Sequence, residues 1–564
     1  MDYQPRLDDI RQLLVGVLDA PSQLQALPPY AEVDDALMQQ VLEEAGKFVA
    51  SEIAPLQGVG DETGARFEAG RVTMPPGFRA AYQAFWQAGW PALACAVEDG
   101  GQGLPAVLEA VLYEMLSAAN HGWTMAPGLL HGAYECIKHH GSDELKARYL
   151  EKLATGEWLA TMCLTEPQAG SDLGLVRTKA VPQTDGSHLV SGSKIFISGG
   201  EHDLTDNIVH LVLARLPDAA PGPRGLSLFL APKLLPDGRR NGVFCERIEE
   251  KMGLHGSPTC VMRFEDATGW LVGEPHRGLN AMFVMMNAAR LHVGLQGIGL
   301  LEAAWQKASA YAQERRQMRA PGATQTSLIE DHPAIQRILT TQRAWIDGGR
   351  LLAYRTAIEL DMAKHHADAT RRDAAQRWCS LVTPVLKAAW TAQGFHGASA
   401  CLQVFGGHGY VREWGIEQIV RDARVTMIYE GTNEIQAIDL LLRKVLPDGG
   451  AALAALFEQL AAEQPLPPEV RQRFEQLHRL AKRLAQAATY RADLAYWVAD
   501  DFLQAVALAL LGWAGARITS SQPHWLAPAR ALRTWVLPAF AMHLQIIEQQ
   551  LADTETTAPA PAAA

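Results

Sequence analysis

The chain has 564 residues, 48% of them hydrophobic and 20% charged, a composition of ordinary folded proteins at a length too great for one core, so several domains are expected. Its 50 Lys and Arg against 62 Asp and Glu leave a net charge of −12, which argues against a surface built to hold a phosphate backbone. The seven cysteines (Cys95, Cys136, Cys163, Cys245, Cys260, Cys379, Cys401) are scattered without a C-x-x-C pair, so neither a disulfide framework nor a zinc site is expected, and a reducing compartment is.

The opening Met1-Asp2-Tyr3-Gln4-Pro5 has neither a basic stretch nor an apolar run, and no secretory signal is expected there. Residues 1–160 read as an N-terminal α-helical domain. Leu37, Val41, Leu42, Ala45 and Phe48 recur at helical spacing. Pro75-Pro76 opens and Gly89 closes a second helix through Phe78, Tyr82, Phe85 and Trp86. A third, marked by Val107, Val111, Leu112, Met115 and Leu116, follows the glycine-rich loop Glu98 to Pro105. That loop lacks the glycine order of a dinucleotide fingerprint, so it reads as a turn at least as well as a phosphate cradle.

Across 161–275 the period shortens. Residues 189–198, 208–213, 226–230 and 259–264 are β-rich runs separated by Pro, Gly and Asp, expected as a small antiparallel sandwich or barrel. The helical period returns over 276–445 in four segments, 281–317, 333–365, 374–405 and 434–446, the pattern of a four-helix bundle. Residues 446–552, opening with the linker Leu446-Pro447-Asp448-Gly449-Gly450, read as an extra C-terminal helical domain, broken near Pro465 to Pro468 and at Pro523, with acidic and basic residues close to balance. Its longest apolar run, Ala505 to Ala514, is about half of what a bilayer crossing needs. Residues 553–564, rich in Ala, Pro and Thr, are expected as a disordered tail. The fold class is α+β, mostly α.

One carboxylate stands out. Glu430 follows the apolar run Val425 to Tyr429 and precedes Gly431-Thr432, with a helical pattern resuming at Ile435. Two readings stay open from this segment: a helix-start acid favoured by the macrodipole, or a desolvated carboxylate basic enough to take a proton near neutral pH.

Four motifs, in this domain order, resemble the acyl-CoA dehydrogenase family. They are Leu164-Thr165-Glu166-Pro167-Gln168-Ala169-Gly170-Ser171-Asp172, Gly192 to Gly200, Gln403-Val404-Phe405-Gly406-Gly407-His408-Gly409-Tyr410 with Arg421 to Arg424 behind it, and Ile428-Tyr429-Glu430-Gly431-Thr432. The lead-in and the extra C-terminal helices are similar to the enlarged branch that includes 3-methylmercaptopropionyl-CoA dehydrogenases. The resemblance implies FAD as cofactor and no metal, with Glu430 taking the α-proton of an acyl-CoA while the β-hydride passes to flavin N5. It implies flavin contacts at Met162, Leu164, Thr165, Ser171, Phe196, Ser198, Gln403, Gly406, Gly407, Thr432 and Glu434, and Arg315 and Gln317 reaching the flavin of a neighbouring subunit. Substrate contacts are implied at Ser171, Arg290, Tyr429 and Gly431. Many relatives carry Trp where this chain has Phe196, an aromatic at Met162 and Gln at Glu434. Some place the base at the position of Ala289, where no carboxylate occurs. The expected partners are an acyl-CoA, either 3-methylmercaptopropionyl-CoA or one of short to medium chain, and an electron-transfer flavoprotein. The expected state is a cytoplasmic homodimer or tetramer with no nucleic acid and no membrane insertion. An acyl-CoA oxidase, or a non-catalytic flavoprotein binding nucleic acid or a protein partner, are the alternatives.

Overall fold

The structure, a computed structural model, describes residues 2–557. It divides the chain into two compact units: Asp2–Pro5 with Glu44–His292, and Arg6–Glu43 with the chain from Val293 onward.

In the unit containing residues 44–292, the helices Phe78–Gln87, Ala106–Thr124 and Leu130–His140 precede a β-barrel. A small hairpin, β1 (Arg66–Glu68) with β2 (Arg71–Thr73), lies between the short helix Gln57–Thr63 and Phe78–Gln87; its charged, three-residue strands give too little alternation to be read from sequence. The barrel strands are β3 (Leu159–Cys163), β4 (Lys179–Pro182), β5 (His188–Ser198), β6 (Ile208–Arg215), β7 (Leu226–Pro232), β8 (Val243–Ile248) and β9 (Thr259–Val272). The pairings run β6-β4-β5-β9-β7 and return to β6, closing a ring; β8 adds to β9. Closure leaves the ring's own strands without free edges.

The sheet is not wholly antiparallel, as the sequence led one to expect. Residues Ile208–Val212 of β6 take β3 in parallel, and Arg215 meets Lys179 of β4 in parallel. The interior is filled by Cys163, Val190, Ile197, Val212, Phe229, Val243, Cys260, Met262 and Phe264. All seven cysteines are free, and only Cys379 is not fully buried.

In the other unit the bundle helices are Pro333–His365, Ala369–Val385 leading through a π-turn into Thr391–Val404, and Asn433–Ile438 leading into Asp439–Val445. Gly278–Glu314 contributes its residues from Val293 onward. A short helix, Ile416–Arg424, is additional to the four expected segments. The C-terminal helices are Ala451–Glu463, Pro468–Ala488, Leu494–Ser521, Leu526–Ala531 and Ala539–Thr557. The last continues into the stretch expected as a tail from 553, and residues 558–564 of that expectation lie outside the described residues. Leu494–Ser521 packs against Pro333–His365, Asn433–Ile438, Pro468–Ala488 and Ala539–Thr557. By length and composition it could cross a membrane, which the shorter apolar run did not suggest; 72% of its apolar window is buried inside the protein, the pattern of a core helix.

A buried ion network ties this unit together. Glu302 is fully buried and accepts from Arg6 Nε at 2.6 Å and Arg6 Nη2 at 2.7 Å, with Arg350 Nη1 at 3.4 Å. Asp347 accepts from Arg343 Nε at 2.5 Å and Trp525 Nε1 at 2.8 Å. Burial alone would raise the Glu302 pKa, but the charges of Arg350 and Arg6 outweigh it and hold the carboxyl far below its ordinary range. Glu302→Ala would leave buried guanidinium groups without their carboxylate, so urea unfolding is expected to show a loss of about 3–5 kcal/mol.

Candidate functional site

The first group of candidate residues belongs to the barrel. β3 ends at Cys163, and the next residues run beside β5: Ile195 N–H donates to Thr165 O at 2.9 Å, and Lys194 Nζ donates to Leu164 O at 3.0 Å. Lys194 is fully buried and pairs with Glu166 at 2.9 Å. The other lone pairs of Glu166 accept from Thr178 Oγ1 (2.6 Å), Arg177 N–H (2.7 Å) and Thr178 N–H (3.0 Å). Burial would raise the Glu166 pKa; the Lys194 charge and these hydrogen bonds overcome it and bring it to about 2. This ion pair pins the motif after β3 to the motif in β5.

Between Lys194 and Ile197 the pairing of β5 with β9 slips by a bulge. Phe196 sits in it with φ +60° and its side chain 60% exposed. The left-handed region costs a non-glycine residue about 1–2 kcal/mol, and an exposed Phe gains nothing there from the core, so the strain points to a role outside the core. Met162 is buried, Leu164, Thr165 and Ser198 are half-buried, and Ser171 is exposed. The Thr165 hydroxyl has no hydrogen-bond partner among the described residues. Arg290 is half-buried, and its Nε is shielded from solvent without a hydrogen bond among the described residues.

The second group belongs to the unit that continues from Val293. Glu430 lies in a loop between the 3₁₀ turn Val425–Met427 and the helix Asn433–Ile438, whose N-cap is Thr432. Glu430 therefore precedes the cap, and the first-turn acid of that helix is Glu434; the helix-start reading of Glu430 is set aside. Its φ is +55°, followed by +82° at Gly431. Gln436 Nε2 donates to the carbonyls of Glu430 (3.1 Å) and Gly431 (3.4 Å). Asn433 Oδ1 accepts from the buried Lys387 Nζ at 2.9 Å, and Asn433 Nδ2 donates to Ala388 O at 3.0 Å. Tyr429 OH donates to Gln296 Oε1 at 2.6 Å. Burial first, then the charges of Glu430 and Asp422, push the Tyr429 phenol well above its ordinary value, so it stays a neutral donor. Thr432 and the backbone N–H of Glu434 hold the Glu434 carboxyl below its usual range.

The structure thus gathers Tyr429, Glu430, Gly431, Thr432 and Glu434 into one turn. Gln403, at the end of the helix Thr391–Val404, and Gly406 and Gly407, in the turn after it, are exposed, and a Cβ on either glycine would meet no atom within 4 Å. Arg315 and Gln317 lie exposed on a third segment, folded back by Gln317 N–H to Ser327 O and Ser327 N–H to Met318 O. Sequence reasoning missed the supports Gln296, Lys387, Asn433 and Gln436. A lysine inside the apolar stretch Leu386 to Trp390 was the available signal for one of them.

Three family models match in succession: "Acyl-CoA dehydrogenase, N-terminal domain" over residues 37–157, the middle domain over 161–267 and the C-terminal domain over 276–445. The chain belongs to the acyl-CoA dehydrogenase family. It is 45% identical over 507 residues to the 3-methylmercaptopropionyl-CoA dehydrogenase of Ruegeria pomeroyi, covering 88% of this chain and 85% of that one. It is 37% identical to the broad-specificity linear acyl-CoA dehydrogenase FadE5 of Mycobacterium tuberculosis, covering 76% and 73%. The fold matches a solved acyl-CoA dehydrogenase of Bacillus anthracis complexed with FAD, with a TM-score of 0.75, 22% identity and coverage of 96% and 91%. As an acyl-CoA dehydrogenase, the protein is an oxidoreductase of the CH–CH bond of an acyl-CoA. An exposed aromatic ring on a strained bulge beside a half-buried, unpartnered hydroxyl suits a flat heteroaromatic cofactor with a hydrogen-bonding edge.

Two outcomes are expected. Because the folded pKa of Glu166 lies below the ordinary 4.5, its contribution is present above 4.5 and is lost as pH falls toward about 2. Thermal melts across that window should fall more steeply for the wild type than for Glu166→Gln, which starts lower because Lys194 has lost its counter-charge. In the second, a methyl group at Gly431 would sit 2.7 Å from Gln436 Nε2 at a φ of +82°. Gly431→Ala should cost about 1–3 kcal/mol in chemical denaturation and lower kcat more than it raises KM, because it moves the Glu430 carbonyl off its donor.

Proposed function

We propose that the protein is an FAD-dependent dehydrogenase that converts an acyl-CoA to the 2-enoyl-CoA, with Glu430 as the base that removes the α-proton. The observation that carries this is the Glu430 loop: a half-buried carboxylate in left-handed backbone, fixed by Gln436 on one side and by the Lys387–Asn433 anchor on the other. A base carried on backbone fixed in this way has fewer conformations to lose when substrate arrives, which lowers the cost of orienting it. The cofactor is FAD, which when bound accepts the β-hydride. Phe196 would pack on its ring system, Thr165 and Ser198 would offer hydrogen bonds to its edge, and Met162 and Leu164 would line it. Ser171 lies at the same cofactor and also borders the substrate. Gln403, Gly406, Gly407, Thr432 and Glu434 serve its ribose and phosphate end, with Arg315 and Gln317 supplied to a neighbouring subunit in a homodimer or tetramer.

Glu430 does two jobs in this reading. Its carboxylate takes the proton from Cα, and its backbone N–H donates to the thioester carbonyl, where negative charge builds as the proton leaves. Tyr429 and Gly431 border the thioester, and the Arg290 guanidinium, with Nε unspent, meets the CoA portion. The similarity to the R. pomeroyi relative favours 3-methylmercaptopropionyl-CoA as the acyl group, ahead of straight chains of short to medium length. The electron acceptor is an electron-transfer flavoprotein, and the setting is cytoplasmic. The domains under this proposal are 1–160, 161–275, 276–445 and 446–552.

Anaerobic mixing of the flavoprotein with a panel of acyl-CoAs should bleach the flavin absorbance, fastest with 3-methylmercaptopropionyl-CoA. Absence of bleaching with every chain type would remove the proposal, and rapid peroxide formation in air would turn it toward an oxidase. Glu430→Gln should retain FAD and lose at least ~100-fold in reduction rate, the scale of a lost general base; a near-normal rate would place the base elsewhere.

A further inference from the structure

The turn bearing Gly406 and Gly407 is open to solvent, yet four aromatic rings are stacked behind it. Tyr311, from the helix Gly278–Glu314, lies parallel to Phe405, with centroids 4.4 Å apart and planes 22° apart. His408 lies parallel to Trp414, at 4.9 Å and 11°. The two stacks are joined edge to face, Trp414 on Tyr311 at 5.4 Å and 86°, and by a hydrogen bond of 2.9 Å between the Tyr311 hydroxyl and His408 Nδ1. The backbone between them is equally fixed: Phe405 N–H reaches Leu402 O, Val411 N–H reaches His408 O and Trp414 N–H reaches Val411 O.

Space is distributed unevenly around this turn. A Cβ at Gly409 would lie 2.6 Å from Leu402 O, whereas a Cβ at Gly406 or Gly407 would meet nothing within 4 Å. One side of the turn is therefore packed shut and the other left clear. His408 is itself exposed, so burial of apolar area does not account for its place in the stack. Its ring is held by Trp414 and by the Tyr311 hydroxyl, directly after the two open glycines.

We propose that His408 and Trp414 are positioning residues for the cofactor: with Tyr311 they form a rigid prop that keeps the Gly406-Gly407 face in the shape that receives the FAD. This rests on the reading above that the Gly406-Gly407 turn serves the cofactor. Neither ring touches the reacting atoms. They act through the backbone they hold, so their loss is felt in cofactor retention before it is felt in chemistry.

The experiment uses the full-length protein, stripped of and then titrated with FAD, reading the dissociation constant from flavin fluorescence and the thermal midpoint of the FAD-free form. Gly407→Leu tests the underlying reading, since a Cβ there meets no protein atom within 4 Å and the added bulk points to where a docking molecule would lie. His408→Ala and Trp414→Leu test the prop, Tyr311→Phe removes only its hydrogen bond, and His408→Gln keeps a polar partner for Tyr311. The expected result is a large loss of FAD affinity in Gly407→Leu and a rise in dissociation constant of roughly three- to tenfold in His408→Ala and Trp414→Leu, the scale of one lost aromatic pair. The FAD-free midpoint should be unchanged, Tyr311→Phe should have a smaller effect, and His408→Gln should recover part of the loss. If Gly407→Leu loses FAD while His408→Ala and Trp414→Leu bind it as the wild type does, the prop is overturned and the cofactor reading stands. If Gly407→Leu binds FAD normally, the turn is not a cofactor surface and both fall. A fall in the FAD-free midpoint large enough to account for weaker binding would overturn the proposal in favour of plain support of the fold.

Discussion

A backbone conformation that side chains avoid can persist only where its surroundings over-determine it, and the loop carrying Glu430 depends on this constraint. The left-handed φ values at Glu430 and Gly431 are paid for by a short list of polar contacts. Gln436 reaches back to both carbonyls, Asn433 is gripped by a buried lysine and in turn grips Ala388 O, and Tyr429 is tied to Gln296. Each is a buried or half-buried hydrogen bond in a low-dielectric setting, where leaving a partner unsatisfied is expensive. The loop is therefore rigid because its alternatives would strand a lysine, an asparagine amide and two carbonyls. The Cα of Glu430 on such a loop has its position set before any ligand arrives.

The barrel repeats the same logic with a different pair. Lys194 and Glu166 are both buried, and their ion pair alone would be weak evidence of stability. Its effect is on register: it locks the residues after β3 to those of β5 across the bulge at Phe196. A one-residue slip in β5 would turn Phe196 inward and Ile197 outward, and it would also break an ion pair in a dry interior. The strained, exposed Phe is thus a consequence of the pairing around it.

Much of the architecture was legible from periodicity. β5, β6 and β9 announced themselves by β-branched residues, β7 by a short apolar run between Gly225 and Pro232, and the long helices by their apolar stripes. What was lost has physical reasons. β3 is buried at all five positions, so it shows no alternation; β8, Val-Phe-Cys-Glu-Arg-Ile, mixes charge into its exposed end. The helix Ile416–Arg424 is short and polar on one side, and reads as loop beside Gly415. For the site, motif spacing singled out Glu430, Thr165 and Phe196, but φ at Glu430 and Phe196 leaves no mark in the sequence. Nor could the sequence reveal which buried amides would hold the loop, because Gln296 and Gln436 are 140 positions apart in the chain and look like ordinary helix polars.

The ion network around Glu302 has a bearing on how the protein is made. Arg6 finds its carboxylate 296 positions later, and Val17 offers its carbonyl to Arg517, 500 positions away. Nascent chains grow at roughly 5–20 residues per second, so these residues emerge on the order of a quarter of a minute to under two minutes before their partners exist. During that interval the apolar face of the opening segment, with Ile10, Leu13, Leu14 and Leu18 all buried in the finished protein, lacks the helices from Val293 onward that complete its unit. Residues 44–292 form a continuous stretch of the other unit and need none of these later partners. The unit that joins residues 6–43 to the chain from Val293 onward therefore closes its ion network only after the whole of 44–292 has been made.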